Sequence, residues 1–397
     1  MIPAVRKHYN NQFTFRKYQS FLEDLHNVYP GAIGFRVAET PVFVPAALTE
    51  KIIRACEEVI NVIVKPDFKT LTQAAIPPNL QVPGEDRHPH FIAIDFAVCR
   101  DENGNLEPQL IELQGFPTMF AFQSLLAAKY REHFPIPGNL SNYLNGYTDN
   151  SYFDLLRRMI RGKYPPENVI LLEVKPHEQK TRVDFYHTQA ITGVQPVCIT
   201  ELAKEGNKLF YFRNGEKTEI KRIYNRLIFE DLEGQRKSLG KFVDLTREIE
   251  VEWVSHPNWF YRISKFMIPF IESAFVPKTY FLHKLQVVPQ DLENYVLKPL
   301  FSFAGQGVII DLTREDIDRI PDPHNWILQR KVQYDEVIMT PDAPAKCEIR
   351  MMYFWEEDVP RPLLVHNLCR LSKGKMIGVS YNRDKDWVGG STCFFEQ

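Results

Sequence analysis

The chain has 397 residues, 44% of them apolar and 25% charged, with a formal net charge of −2. That length allows about two or three domains and a sizeable core. The near-neutral balance supplies no basic field for a nucleic-acid backbone. The longest apolar runs, FMIPFI and PLLVHNLC, fall well short of the roughly 20 residues that span a bilayer. The N-terminal MIPAVRKHYNNQF lacks the apolar segment of a secretory signal. Six dispersed cysteines without a CxxC pair read as buried thiols in a reducing compartment. These features point to a cytoplasmic protein with neither nucleic-acid nor membrane partners. Oligomeric state has no signature here.

In chain order, apolar residues at helical spacing predict helices over 13–28 and 47–64. Residues 94–115, IDFAVCRDENGNLEPQLIELQG, then read as two strands about Asn103-Gly104, the dipeptide of a type I′ hairpin turn. That turn sets Asp95 directly opposite Glu112. Like charges at facing positions weaken a strand pair, which leaves open what lies between them; a solvated acidic face is the plain reading. Glu112 and Gln114 share a face because strand side chains alternate. Pro108 is the natural place for a bulge that would shift the register. Further helices are predicted near 121–134 and 152–161, and Pro-Pro-Glu-Asn at 165–168 marks a boundary.

From 169 the pattern alternates: strand VILLEV, a helix over 181–191, strand PVCIT, then a hairpin across RNGEK. This is a small βαβ unit of the doubly wound kind. The loop KPHEQKTR (175–182) and Arg226 lie after strands, where such folds bind ligands; ordinary polar loop positions are the alternative. A helical stretch is expected from 242 into HPNWFYRISKFMIPFI. Strands dominate thereafter, with one helix over 313–320 capped by Thr313 and Asp316. His88 and His90, separated by Pro89, read as a loop before a strand rather than as metal ligands.

Residues 295–311, YVLKPLFSFAGQGVIID, place Lys298 on a strand ahead of a small-residue turn and a second strand. Gly305 and Gly307 would let backbone N–H groups approach phosphate oxygens, with the ammonium neutralising charge. No P-loop motif is present, and a tight hairpin with a snorkelling lysine fits the same residues. The flanks add Lys265 at a helix start, VPKT entering a strand, and an edge-like strand WILQRKV over 326–332. They continue with Glu348 and Arg350 in CEIRMMYFW, Arg370 in VHNLCRLSKG, and Asn382 ahead of Gly389-Gly390.

In that order these elements resemble the ATP-grasp ligases over residues 256–397. The resemblance implies that Lys265 and Lys298 contact the α/β-phosphates of ATP beneath a flap containing Ser302, Gly305, Gln306 and Gly307. It places the adenine edge at Gln329, Arg330, Lys331 and Val332, and the ribose at Glu336. Arg350 and Arg370 would bind the transferring phosphoryl group or a carboxylate through paired guanidinium N–H groups, and Asn382 would complete the phosphate end. Simple cross-strand pairing is the alternative for Glu348 and Arg350.

The usual grasp order continues to an Asp strand and a Glu-x-Asn strand that hold Mg2+. Here the corresponding Asp95, Glu112 and Gln114 lie in the early hairpin, with Gln where the family has Asn. The order resembles that of glutathionylspermidine synthetases and eukaryotic-type glutathione synthetases. The fold expected is α/β (α+β mixed): a circularly permuted ATP-grasp core with an inserted βαβ substrate domain. Its parts would be 1–165 with the Mg2+ hairpin, 166–255, and 256–397 with lysines, flap and hinge. The implied activity is an ATP- and Mg2+-dependent ligation of a small-molecule carboxylate to an amine through an acyl phosphate. A small-molecule kinase or a non-catalytic nucleotide-binding protein is the alternative.

Overall fold

The computed structural model describes residues 1–302, 306–375, 377–378, 382 and 384–397. Several sheets and helices make a mixed α/β fold, and its centre is a five-stranded antiparallel sheet. The order across this sheet is Gly389–Ser391, Leu363–Ser372, Lys346–Phe354, Phe91–Arg100, Leu106–Gln114. The early hairpin is therefore built into the C-terminal sheet, with Arg350 opposite Asp95 and Glu348 opposite Arg370. Alternation gives the sheet two different faces. Ile94, Phe96, Val98, Ile349 and Met351 share a buried cluster with Ile52, Cys56 and Val59 of the helix Ala46–Ile63. Asp95, Glu348, Arg350 and Arg370 occupy the opposite face. Each buried large apolar side chain contributes about 1.5–3 kcal/mol, so the apolar face fixes the register: a one-residue slip would drive Asp95 into the hydrocarbon layer.

The hairpin reaches the expected Asp95–Glu112 pairing by an unexpected route. No type I′ turn forms, since of Asn103 and Gly104 only the glycine takes positive φ, 80°. Asp101 instead caps the loop by accepting from the N–H groups of Asn103 and Asn105. Arg100 consequently pairs with Leu106, one residue away from the expected register, and a bulge at Ile111 restores it at Glu112. Pro108 pairs regularly with Val98 on this outer strand, where proline is tolerated.

A four-stranded parallel sheet, ordered Glu252–Val254, Arg222–Asn225, Val169–Glu173, Gln195–Cys198, packs with the helix Arg182–Thr192. Its first crossover is the βαβ pattern read from the sequence, and the hairpin of Lys208–Arg213 with Glu216–Ile220 follows as expected. The helix expected from 242 lies earlier, at Phe229–Leu239. Glu230 and Asp231 in its first turn and Arg236 and Lys237 in its last complement the helix dipole. Downstream, only short helical turns form at Asn258–Arg262 and Lys265–Phe270, the latter containing Pro269.

The third sheet is antiparallel in the order Thr279–Phe281, Trp326–Arg330, Tyr295–Pro299. The 326–330 strand is thus central and not an edge; its alternating residues fit either place, and only pairing on both sides separates them. The strand expected over 308–311 is reduced to a bridge between Ile309 and Leu297. The short helix Arg314–Asp318 has the expected reciprocal cap between Thr313 and Asp316. Among the described residues no helix is long and apolar enough to cross a membrane, and all six cysteines are buried free thiols.

Candidate active site

Two cavities meet beside the charged face of the central sheet. The first, about 350 Å3, lies between that face and the lysine-bearing sheet. The second, about 480 Å3, extends toward the C-terminal ends of the parallel strands. Glu112, Lys265, Ser302 and Arg370 line both, so they mark the junction.

Local structure explains how the lysines reach it. Lys298 lies half-buried on the strand Tyr295–Pro299, facing the hairpin. Its ammonium donates to the Gln329 amide oxygen at 2.6 Å and to the Ile111 carbonyl at 3.3 Å. The residue that bulges from the hairpin thus offers its carbonyl to the lysine, a typical use of a bulge to redirect a backbone group. Lys265 follows the Ser264 cap and donates to the Ser302 carbonyl at 2.6 Å. It is brought close because the hairpin ends in Gly115, whose N–H donates to the Ile263 carbonyl. A Cβ there would lie 2.5 Å from the Trp259 carbonyl oxygen, so only glycine permits this approach.

Burial, and next the charge of Lys265, lower the Lys298 ammonium to about 8. Burial likewise lowers Lys265. Burial pushes the Glu112 carboxyl up, but Lys265, Arg370, Arg350 and Lys298 together reverse this and leave it below the usual range. Glu348 shows the opposite outcome: burial dominates, and its carboxyl is raised despite Arg370.

The space between Asp95 and Glu112 holds guanidinium groups. Arg350 binds Asp95 through both oxygens at 2.5 and 2.6 Å, and Arg370 adds a contact at 2.8 Å. Arg350 and Arg370 stand 3.6 and 3.9 Å from a Glu112 oxygen. Arg370 also pairs with Glu348, whose other oxygen accepts from Tyr334 at 2.7 Å. Cross-strand pairing is therefore what Asp95, Glu348, Arg350 and Arg370 do in this state. Of the three residues expected to hold Mg2+, Glu112 and Gln114 line the second cavity side by side, while Asp95 is buried and lines neither cavity. The donor set fits a divalent ion at Glu112 and Gln114, completed by water and phosphate as magnesium prefers. It does not fit one straddling Asp95 and Glu112.

The remaining expected residues divide. Ser302, Gln329, Arg330, Lys331 and Val332 line the first cavity. Gln329, however, has its backbone in the sheet on both sides and its side chain on Lys298 and Thr279, which makes it a positioning residue. The N–H groups of Arg330 and Lys331 donate to the Lys278 and Asn294 carbonyls and so are already used within the fold. Gln306 and Gly307 are exposed and outside both cavity linings, and Gly305 lies outside the described residues. Glu336 is exposed and lines neither cavity. Asn382 is buried; its amide oxygen accepts from Ser372, Lys373 and Gly374, and its nitrogen donates to Gly378. It fastens the turn that supplies Lys375 and Gly378 to the cleft wall. His88 stacks on Trp355 at 4.1 Å, and His90 sits between Asp86 and Glu357, away from both cavities.

The second cavity contains groups that sequence order alone left open or missed. Arg226 follows the strand Arg222–Asn225 and lies against Phe116 and Phe185. It is buried, and two of its nitrogens have no hydrogen-bond partner among the described residues. Gln123, also buried, has its side-chain oxygen unpartnered in the same way. Burial, opposed by Arg226, raises the nearby Glu173 carboxyl to about 7. Lys180 and Thr181 of the 175–182 loop close one wall, and Phe35, Phe122, Phe260 and Phe301 supply apolar surface. A polar group at the end of a parallel strand was the available signal for Arg226 and Glu173.

No protein-family model and no curated protein matches the sequence. Among solved structures, the chain is similar to the apo form of GSS30, a glutathione synthetase-like effector from Globodera pallida, with a TM-score of 0.59 and 10% sequence identity. The match covers 97% of this chain and 98% of that one. The fold is thus glutathione synthetase-like along nearly the whole chain, and at this identity the likeness concerns the fold alone.

Proposed function

We propose that the protein is an ATP-dependent carboxylate–amine ligase with a circularly permuted grasp core. The observation that carries this reading is the junction: a basic cleft and an apolar chamber share Glu112, Lys265, Ser302 and Arg370. ATP would occupy the first cavity, with adenine beyond Arg330 and phosphates toward Lys298 and Lys265. A carboxylate substrate would lie in the second, its reacting oxygen near Arg350 and Arg370. The carboxylate oxygen attacks the γ-phosphorus and ADP leaves. An amine then attacks the acyl carbon, losing a proton as phosphate departs. Lys265, Lys298, Arg350 and Arg370 stabilise charge as it moves between phosphate and carboxylate, which is the main demand of phosphoryl transfer. Bound at Glu112 and Gln114, Mg2+ would neutralise further phosphate charge. Arg226 would anchor a second anionic group of the substrate through its paired N–H donors. Six unpaired buried thiols support a cytosolic setting.

The test is a screen of carboxylate and amine pairs for phosphate release, followed by hydroxylamine trapping. An acyl hydroxamate formed only with ATP supports the ligase. ADP formation with a phosphorylated product and no hydroxamate identifies a kinase, and ATP binding without turnover a nucleotide-binding protein.

A further inference from the structure

The first cavity carries far more positive charge than its carboxylates balance. Seven basic side chains line it, against Glu112, Asp311 and Glu348. Two of these acids already have partners. Asp311 pairs with Lys375 at 3.1 Å, and Glu348 with Arg370. That leaves Lys265, Lys298, Arg330, Lys331 and Lys346 facing Glu112; among the described residues only Arg330 also reaches an acid outside the lining, Asp291 at 3.7 Å. Below this surface, Asp95 is consumed by Arg350 and Arg370. A divalent ion arriving alone therefore meets a single available carboxylate and several cations. A polyphosphate arriving alone meets the reverse.

We infer that this cleft binds the triphosphate of a nucleotide without a divalent ion, its lysines and arginines supplying the neutralisation that a metal ordinarily brings. The inference rests on the nucleotide reading above and concerns the order of events at that site: nucleotide enters first, and the metal, needing phosphate oxygens as ligands, follows. Two features make the geometry suited to this. Lys265 and Lys298 are held on neutral oxygens, the Ser302 and Ile111 carbonyls and the Gln329 amide, so neither spends its charge on a carboxylate. Lys265 is buried and Lys298 half-buried, so a charge interaction with phosphate is screened less than at the open surface.

Titration calorimetry of the full chain with ATP, in EDTA and then with Mg2+, tests this. The dissociation constant in EDTA is expected to lie within about tenfold of that with Mg2+. A loss greater than that on chelation overturns the inference while leaving the nucleotide reading intact. Absence of ATP binding in both buffers overturns both. Tripolyphosphate in EDTA is the second arm: it should compete with ATP, and failure to compete would show that the base and not the phosphates carries affinity. Lys346→Ala, outside the buried ion-pair network, is expected to weaken ATP in EDTA by about threefold or more; an unchanged value counts against the charge argument.

Discussion

The two cavities solve the problem of buried charge in opposite ways. In the first, each arginine and lysine of the wall nearest the sheet is held by a protein oxygen: Arg370 by Asp95 and Glu348, Lys298 by Gln329 and Ile111, Lys265 by Ser302. In the second, Arg226 is buried between aromatic rings with two nitrogens unpartnered among the described residues. Removing a member of a satisfied ion network leaves an uncompensated charge, which is costly. Removing Arg226 relieves the cost of its unmet donors but withdraws the charge that opposes burial of Glu173 and Asp184, so the two effects offset. Substitutions on the two sides of the junction should therefore both weaken ligand binding but differ in their effect on stability.

The sharpest way to break this comparison is Asp95→Asn. It leaves Arg350 and Arg370 adjacent without their shared counter-charge, and the expected loss is about 3–5 kcal/mol in chemical denaturation. A loss under about 1 kcal/mol would mean that the network is less buried than the geometry shows. Gly115→Ala is expected to cost about 1–3 kcal/mol, because the hairpin end must retreat from Trp259; it should also weaken ATP by displacing Lys265. Lys298→Met should raise the ATP dissociation constant tenfold or more, the loss of a charge-assisted contact of about 1.5–3 kcal/mol. Arg226→Met completes the series, with a stability change within about 1 kcal/mol of zero, or a small gain, and loss of carboxylate-ligand binding. A large destabilisation would show that Arg226 has a structural partner.

The Lys298 titration adds a pH arm. Its ammonium is lowered to about 8 from an ordinary 10.5. Between these values the unfolded chain holds a proton that the ligand-free fold has shed, so stability from this group rises with pH across the window and is absent below 8. On the proposed nucleotide reading the phosphates would take the charged form, so ATP affinity should fall as pH rises through about 8. A flat profile in Lys298→Met would assign the effect to this residue.

The sequence brought the right residues together more reliably than it set their geometry. Asp95 and Glu112 do face each other, yet the argument through Asn103-Gly104 succeeds only because a wider loop and the Ile111 bulge offset one another. A bulge leaves no composition signal when its residue is an isoleucine among apolar neighbours. The guanidinium groups in the gap were not foreseen because Arg350 and Arg370 come from strands more than 200 residues away, and side-chain alternation does not say which strand will be the neighbour. Trp326–Arg330 was placed at an edge for the same reason. Gln329 reads equally as a hinge residue and as the holder of Lys298 until Val296 is known to lie opposite. Elements set by local periodicity, such as Ala46–Ile63 and the first βαβ crossover, were legible.

The pairing of Arg350 with Asp95 across 255 residues has a consequence for biogenesis. At about 5–20 residues per second, the hairpin leaves the ribosome roughly 13–50 s before its partner strand exists. Through that interval its apolar face can pack on the earlier helix Ala46–Ile63, while the inner edge of Phe91–Arg100 has no native partner. A nascent chain of this topology needs either a chaperone or a temporary non-native cover, and its last strands decide when the sheet can close.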